Sequence, residues 1–373
     1  TQVWLPEYIA GYMNGRVNGG LTDQQAHIAA RAFADRGRPV AGSAQFNQLY
    51  NFIKGVPIGK PAPGAPFGGG RFLDRSDLYA VEGQYNLSDI TKGFAEILVG
   101  GNFRRFVLNS QGTLFADSTG PISINESGAF IQIAKELFNE KVRLTVSGRY
   151  DKNQNFKGRF TPRATALIRV APNNNLRISY QTAYRFPSTQ MQWINLFVGN
   201  DYQLIGGVPQ LRDFYNLNTS PVFAIQNDQV TTNRVTVTDL RPESVNSIEF
   251  GYKGLVAKNL LIDVYGYYSQ YQDFLTRRLV FQTATNRKFS IPFNTENRVK
   301  SFGYGVSLDY RLPGNFLVGV NFASDELTDV PQGFQAAFNT PKYKTNIKLS
   351  NTGFGAKNAY AFSVVYRWMS SYQ

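Results

Sequence analysis

Residues 175–186 read Asn-Leu-Arg-Ile-Ser-Tyr-Gln-Thr-Ala-Tyr-Arg-Phe, with apolar and polar side chains in alternation. Because successive side chains of a strand point to opposite faces, this stretch predicts a β-strand with one apolar and one polar face. Residues 141–150 and 359–368 show the same alternation. Their apolar faces end in Tyr and Trp, which is typical of strands of about 10 residues that cross a lipid bilayer. The pattern therefore predicts a transmembrane β-protein.

The composition of the 373-residue chain agrees with a β-barrel and excludes a helical membrane protein. Hydrophobic residues make up 42% and aromatic residues 14%, yet no run approaches the roughly 18 consecutive apolar residues of a membrane helix. The mean hydropathy of −0.29 fits a barrel with a polar lumen and polar loops. Cysteine is absent and His27 is the only histidine, so disulfides and a multi-histidine metal site are excluded. We expect no cofactor, no metal and no enzyme activity.

The formal net charge of +13 invites a nucleic-acid interpretation, but the placement of the basic residues argues against it. They are spread over the polar faces of separate predicted strands instead of clustering on one helix or stripe. A lumen or loop surface that attracts anions explains the charge better, and we expect no nucleic-acid partner.

Residues 1–74 show no strand alternation and are predicted to form a large extracellular loop region with a short helix. Thr22 can cap a helix that runs to about Asp35. Its predicted inner face consists of four side chains, Ala26, Ala29, Ala30 and Phe33. Residues 57–70 are rich in Pro and Gly, which predicts a loop.

Residues 75–373 are predicted to form about twelve antiparallel strands in six hairpins. The predicted pairs are 75–89 with 93–108, 124–137 with 141–152, 158–171 with 175–186, 243–256 with 259–275, 298–311 with 316–326, and 342–350 with 359–372. Turns within the pairs are short, and most connections between the pairs are long. This asymmetry is typical of bacterial outer-membrane barrels, which have short periplasmic turns and long extracellular loops. The initial loop and the missing terminal motif predict that further strands precede and follow.

Three motifs resemble a known family. Residues 160–188 read Phe-Thr-Pro-Arg-Ala-Thr-Ala-Leu-Ile-Arg-Val-Ala-Pro-Asn-Asn-Asn-Leu-Arg-Ile-Ser-Tyr-Gln-Thr-Ala-Tyr-Arg-Phe-Pro-Ser. This hairpin resembles one of TonB-dependent outer-membrane receptors. Residues 240–254, Leu-Arg-Pro-Glu-Ser-Val-Asn-Ser-Ile-Glu-Phe-Gly-Tyr-Lys-Gly, and residues 339–344, Asn-Thr-Pro-Lys-Tyr-Lys, resemble later strands of that family. Residues 30–38 are similar to a loop of receptors of Bacteroidetes type.

The resemblance implies the barrel portion of a receptor, part of a wall of about 22 strands. The family's N-terminal plug and the short segment that TonB grips are not found in this chain. The implied partners are TonB, through a plug outside this chain, outer-membrane lipid or lipopolysaccharide, a small-molecule or oligomeric nutrient, and a surface lipoprotein.

Seven residues are candidates for contact with the plug or the ligand. Arg163, Glu249 and Lys253 stand at the family's motif positions on the polar face, and Arg185 shares that face; a solvated or salt-bridged lumen wall is the alternative. Tyr265 and Tyr267 face opposite to the apolar side chains of their strand, where they would stack on a ligand or pack on a neighbouring loop. Trp193 lies in the longest loop, which suits either ligand capture or a loop that folds on itself.

The resulting functional hypothesis is a TonB-dependent receptor that imports a siderophore, cofactor, glycan or peptide across the outer membrane. A passive porin or a structural barrel platform in an outer-membrane complex is the first alternative. A soluble carbohydrate-binding β module is a further alternative, and the aromatic apolar faces disfavour it.

Overall fold

A computed structural model describes residues 3–58, 69–198, 202–330 and 341–371. The chain divides into two compact units, Thr1–Arg71 and Phe72–Gln373. Much of the predicted Pro- and Gly-rich loop lies outside the described residues, as do the first two residues of the Asn-Thr-Pro motif. None of the helices in the described part of the chain is both long and apolar enough to span a membrane.

The first unit contains helices α1 (Trp4–Val17), α2 (Asp23–Ala34) and α3 (Ala44–Gly55) in its described residues. Helix α2 is the predicted one, and its start is fixed by a capping box. The Thr22 hydroxyl accepts from the Gln25 N–H, and the Gln25 side chain accepts from the Thr22 N–H. The prediction of a single helix is wrong, because α1 and α3 flank it.

Small residues bring α1 and α2 together. Ala26 and Ala30 are fully buried, and a Cβ on Gly11 would lie only 3.1 Å from the Ala30 Cα. The predicted inner face is partly wrong, because Ala29 and Phe33 are exposed and Ala34 is buried instead. Sequence periodicity could not identify α1, because its apolar side chains surround the helix instead of forming one stripe.

The second unit consists mainly of strands. Its described elements are β1 (Asp77–Asn86), β2 (Glu96–Leu108), β3 (Ile122–Leu137), β4 (Val142–Asn153), β5 (Arg159–Ala171), β6 (Asn174–Arg185), α4 (Thr189–Trp193), β7 (Asn195–Val198), β8 (Tyr202–Ile205), α5 (Pro209–Phe214), β9 (Val222–Gln226), β10 (Gln229–Val235), β11 (Glu243–Val256), β12 (Leu260–Gln272), β13 (Leu275–Gln282), β14 (Arg287–Asn294), β15 (Val299–Leu312), β16 (Phe316–Thr328), β17 (Tyr343–Phe354) and β18 (Tyr360–Met369).

Within the described residues, twelve strands form one antiparallel sheet, which we call the main sheet. Its order is β1-β2-β3-β4-β5-β6-β11-β12-β15-β16-β17-β18. Each of the six predicted hairpins is present in this sheet. The all-β fold class is therefore confirmed.

The register of the main sheet separates a polar face from an apolar face. Gln181 of β6 stands between Arg163 of β5 and Ser247 of β11, so polar side chains of neighbouring strands adjoin. On the opposite face, Ile178, Tyr180 and Phe250 are exposed. A continuous exposed apolar face of this extent requires an apolar medium, as in the wall of a transmembrane barrel.

The short turns have the left-handed backbone of tight hairpins. Ala257 and Lys258, which join β11 to β12, have φ values of 49° and 66°. Two consecutive positive φ angles are typical of a type I′ turn, which matches the twist of the flanking strands. Asn and Gly are favoured in such turns, so Ala and Lys are weak sequence signals for this one.

The two longest connections fold into a second sheet, which the sequence does not predict. This loop sheet has the order β10-β9-β13-β14-β8-β7 within the described residues. Its core includes Ile205, Val222, Val280 and Phe289. The predicted strand 259–275 is too long, because β12 ends at Gln272 and Leu275 already begins a strand of the loop sheet.

Candidate functional site

Six of the seven candidate residues lie on the polar face of the main sheet. Arg163 is on β5 and Arg185 on β6, while the remaining four are Glu249 and Lys253 on β11, and Tyr265 and Tyr267 on β12. Glu249 pairs across the strands with Ser179 and with Tyr267. Their shared face agrees with the sequence analysis, and their function stays a prediction.

Three of the four charged candidates are held in ion pairs, and the partner of Arg185 is Glu243. The Glu249 carboxylate accepts from the Arg177 guanidinium, and the Lys253 Nζ lies 3.1 Å from the Asp263 Oδ2. These pairs neutralise charge within the wall, as the salt-bridged alternative predicts.

The two tyrosines lie flat against glycines on the next strand. A Cβ on Gly303 would lie 2.3 Å from the Tyr267 ring, and one on Gly305 would lie 2.5 Å from the Tyr265 ring. The Tyr267 hydroxyl donates to the Asp325 Oδ1 at 2.7 Å. Covering a strand glycine with an aromatic ring pins the register of a sheet. Tyr267 is thereby fixed at both its ring and its hydroxyl.

Trp193 lies apart from the other candidates. It ends α4 and packs against an apolar cluster of Leu108, Phe115, Ile124 and Ile194. Its indole Nε1 is buried without a hydrogen-bond partner among the described residues. Trp193 thus joins the loop segments to the ends of β2 and β3, as the self-folding alternative predicts.

Arg185 lines a cleft at the long-loop end of the polar face. The cleft has a volume of about 410 Å³, and we call it the arginine cleft. Its polar lining includes Asn102, Arg104, Glu126, Arg149, Asp151, Tyr184 and Arg185. Among them, only Arg185 is one of the seven candidates predicted from the sequence, because tertiary register brings the other strands beside it.

The arginine cleft contains both paired and unpaired cations. The Arg149 Nε donates to the Asp151 Oδ2 at 2.7 Å, and the Arg149 guanidinium also donates to the Asn102 side chain. Arg104, by contrast, is exposed and forms no ion pair with the described residues. A ligand with negative charge therefore finds donors that the wall does not neutralise.

Glu243 connects the arginine cleft to the loop sheet. Its Oε2 accepts from the Arg185 Nη2 at 3.1 Å and from the Leu275 N–H at 2.9 Å. Beside it, Arg241 donates to the Asp273 Oδ1 from both Nε and Nη2, at 2.9 and 2.7 Å. These bonds fix the start of β13 to the rim of the main sheet.

A half-buried arginine, Arg277, stabilises the loop sheet. The Arg277 Nη2 donates to the Ser290 carbonyl at 2.8 Å and also to the Ile205 carbonyl. Burial lowers the pKa of Arg277 to about 10. The guanidinium therefore stays charged at neutral pH and links β13, β14 and β8.

The chemistry of these groups suits binding. Within the described residues, no group of three His, Asp or Glu side chains could hold a metal ion. The polar face instead presents arginine and tyrosine donors in fixed positions.

Comparison with known families gives one match. The family model described as TonB dependent receptor-like, beta-barrel matches residues 14–373. No curated protein sequence matches the chain.

Several solved structures resemble the chain in fold. The siderophore receptor PirA from Acinetobacter baumannii has a TM-score of 0.52 at 12% identity, covering 84% of this chain and 50% of that one. A variant of the ferric enterobactin receptor from Pseudomonas aeruginosa has a TM-score of 0.59 at 14% identity, covering 84% and 44%. The FrpB iron transporter from Neisseria meningitidis has a TM-score of 0.54 at 12% identity, covering 80% and 43%. The chain thus spans half or less of the length of these proteins.

Proposed function

Because the chain belongs to the TonB-dependent receptor β-barrel family, we propose that it forms part of a receptor that binds a nutrient outside the cell and imports it. The chain is an outer-membrane β-barrel protein, and the exposed apolar face of its main sheet is the surface that meets lipid. The Bacteroidetes-type assignment stays a prediction.

The arginine cleft is the observation that carries this proposal. Arg104, Arg149 and Arg185 come from three different strands and surround one cavity of about 410 Å³, a size suited to a small molecule. We infer that the nutrient carries negative charge. Ferric chelates are the first ligands to test, because solved structures of similar fold are named as siderophore and iron receptors. Cofactors, glycans and peptides remain the alternatives.

The remaining parts of the proposal concern partners. We infer that energy reaches the receptor from TonB through a plug domain outside this chain, within a wall of about 22 strands. Lipopolysaccharide at the apolar face and a surface lipoprotein at the loops are further predicted partners. We propose no catalytic role and no nucleic-acid partner.

Binding of ferric chelates to the full-length receptor, isolated in outer-membrane vesicles, tests the proposal. Arg104→Gln and Arg185→Gln should each weaken binding about tenfold or more, because each removes a charge-assisted donor from the cleft. Arg169→Gln is the matched control: it lies on the same face at the opposite end of β5, near Glu140. Equal affinities in all three variants would contradict the proposed site.

Uptake kinetics can distinguish a receptor from the alternative, a passive pore. A receptor should show saturable uptake that stops when the membrane potential is dissipated. A pore should show uptake proportional to the outside concentration and insensitive to that treatment.

A further inference from the structure

A second cavity lies beside the arginine cleft and has different walls. It has a volume of about 750 Å³ and lies between the β4–β5 connection and the segments that flank α5 and β11. We call it the loop cleft, and its defining residues are Phe156, Lys157, Arg159, Pro209, Leu240 and Arg241. Its volume falls in the range of sites that bury a small organic molecule.

The walls of the loop cleft include apolar side chains. The Phe156 ring stacks on Phe186 with centroids 6.0 Å apart, so that its position is fixed. Pro209 and Leu240 add apolar surface from the loop-sheet side. A ligand with a flat apolar face can therefore bury that face against this surface, away from water.

The cations of the loop cleft are only partly neutralised. Arg241 is bound to Asp273, and the acidic lining residue Asp239 is bound to Arg212. Lys157 and Arg159 form no ion pair with the described residues, and both are exposed. The cleft thus holds two unneutralised cations from the rim of the main sheet, next to apolar walls.

Hydrogen bonds hold these walls in place before any ligand arrives. The Asn155 Nδ2 donates to the buried Gln192 Oε1 at 2.7 Å. The Asn294 side chain accepts from the Arg241 N–H and donates to the Arg241 carbonyl, each at 2.8 Å. A cavity with fixed walls loses little conformational entropy on binding, which favours affinity.

We propose that the loop cleft is a second binding site, for a small anion carried on an apolar planar body such as an aromatic carboxylate. Lys157 and Arg159 bind the charged group, and Phe156, Pro209 and Leu240 contact the body. Arg159 lines the loop cleft and Thr161 the arginine cleft, so the two cavities are about 7 Å apart along β5. They share no lining residue.

Calorimetry on the detergent-solubilised full-length receptor tests this site. Benzene-1,3,5-tricarboxylate is the anionic probe, and the uncharged tricarboxamide of the same shape is its control. The tricarboxylate should bind the wild type, and it should bind the double variant Lys157→Gln/Arg159→Gln at least about tenfold more weakly. Phe156→Ala should weaken it as well, because the ring contact is lost.

Lys288→Gln is the matched variant, since it removes a cation from β14 of the loop sheet and should leave the affinity unchanged. The proposal is overturned if the tricarboxylate does not bind the wild type, or if the tricarboxamide binds equally well. It is also overturned if only Arg104→Gln or Arg185→Gln weakens the probe, because the probe then occupies the arginine cleft. The effect of those two variants on ferric-chelate binding tests only the proposed function. A failure of the loop-cleft proposal can therefore be told apart from a failure of the proposed function.

Discussion

Arg185 and Glu243 face each other across β6 and β11, at the positions where the chain leaves the main sheet and returns to it. The Arg185 Nη2 lies 3.1 Å from the Glu243 Oε2, so an ion pair joins the two strands at this point. The same carboxylate accepts from the backbone N–H of Leu275, the first residue of β13. One carboxylate thus joins the polar face of the main sheet to the loop sheet.

Glu243→Ala should loosen β13. It leaves the buried Leu275 N–H without its acceptor, which costs about 1–3 kcal/mol of local stability. Hydrogen exchange at Leu275 and the following residues of β13 should therefore become faster. Glu243→Gln keeps an acceptor oxygen and should have a smaller effect. Identical exchange in wild type and both variants would show that Glu243 does not fix this strand.

Gly303→Ala should destabilise the main sheet. The new methyl group would lie 2.3 Å from the Tyr267 ring, and displacing that ring also strains its bond to Asp325. We expect a decrease of about 1–3 kcal/mol in the free energy of unfolding, measured by urea titration in micelles.

Gly266→Ala is the matched control, because its Cβ would meet only the Gly303 carbonyl oxygen, at 3.8 Å. Both variants change the unfolded chain equally, so their difference reports the contact with Tyr267. Equal destabilisation would refute this role of the ring.

Phe250→Arg should impair insertion into the membrane. Phe250 is exposed on the apolar face of β11, and an arginine facing lipid near the bilayer midplane costs about 2–4 kcal/mol. Asn321→Arg places the same side chain on the polar face of β16 and should insert normally. The fraction of folded protein in outer-membrane extracts measures both. Normal insertion of Phe250→Arg would mean that this face does not meet lipid.

Acid should loosen the contact between α1 and α2. Hydrogen bonds from the Trp4 indole and from Arg38 lower the pKa of Asp35, and the hydrogen bond from Tyr12 lowers the pKa of Asp23. A carboxylate with a lowered folded-state pKa stabilises the fold above its unfolded pKa of about 3.9 and loses this contribution as the pH falls below it. The contact should therefore weaken below about pH 4.

Exchange of the Trp4 indole proton, followed by NMR, measures this transition. It should accelerate in acid in the wild type, and Asp35→Ala, which removes the acceptor oxygen, should show fast exchange already at neutral pH. The indoles of Trp193 and Trp368 serve as internal references. A Trp4 signal with no dependence on pH would exclude the role of Asp35.

The sequence predicted the main sheet well because lipid imposes a strict pattern on every strand. Stretches such as 175–186 keep their alternation because one face meets a uniform apolar medium. The strands of the loop sheet are short and are buried among irregular neighbours. Phe289 and Ile291 alternate with the equally buried Ser290, so the pattern that identifies a transmembrane strand is blurred.

The arginine cleft was only partly predictable. Arg149 and Arg185 belong to different hairpins, and only the β4–β5–β6 register brings them to one cavity. The loop cleft was not predictable, because it depends on the fold of the loop sheet. Tyr267 was also predictable only in part. The alternation of its strand predicted which face it occupies, but its packing on Gly303 depends on which strand pairs with β12.

The loop sheet is joined to the main sheet in a way that leaves the pairing of the main strands independent of it. Its two chain segments leave and rejoin strands that are already direct neighbours, β6 with β11 and β12 with β15. Shortening or exchanging both segments would leave every pairing of the main sheet in place. We therefore expect that this paired insert can be exchanged as one unit while the strand pairings of the main sheet stay the same.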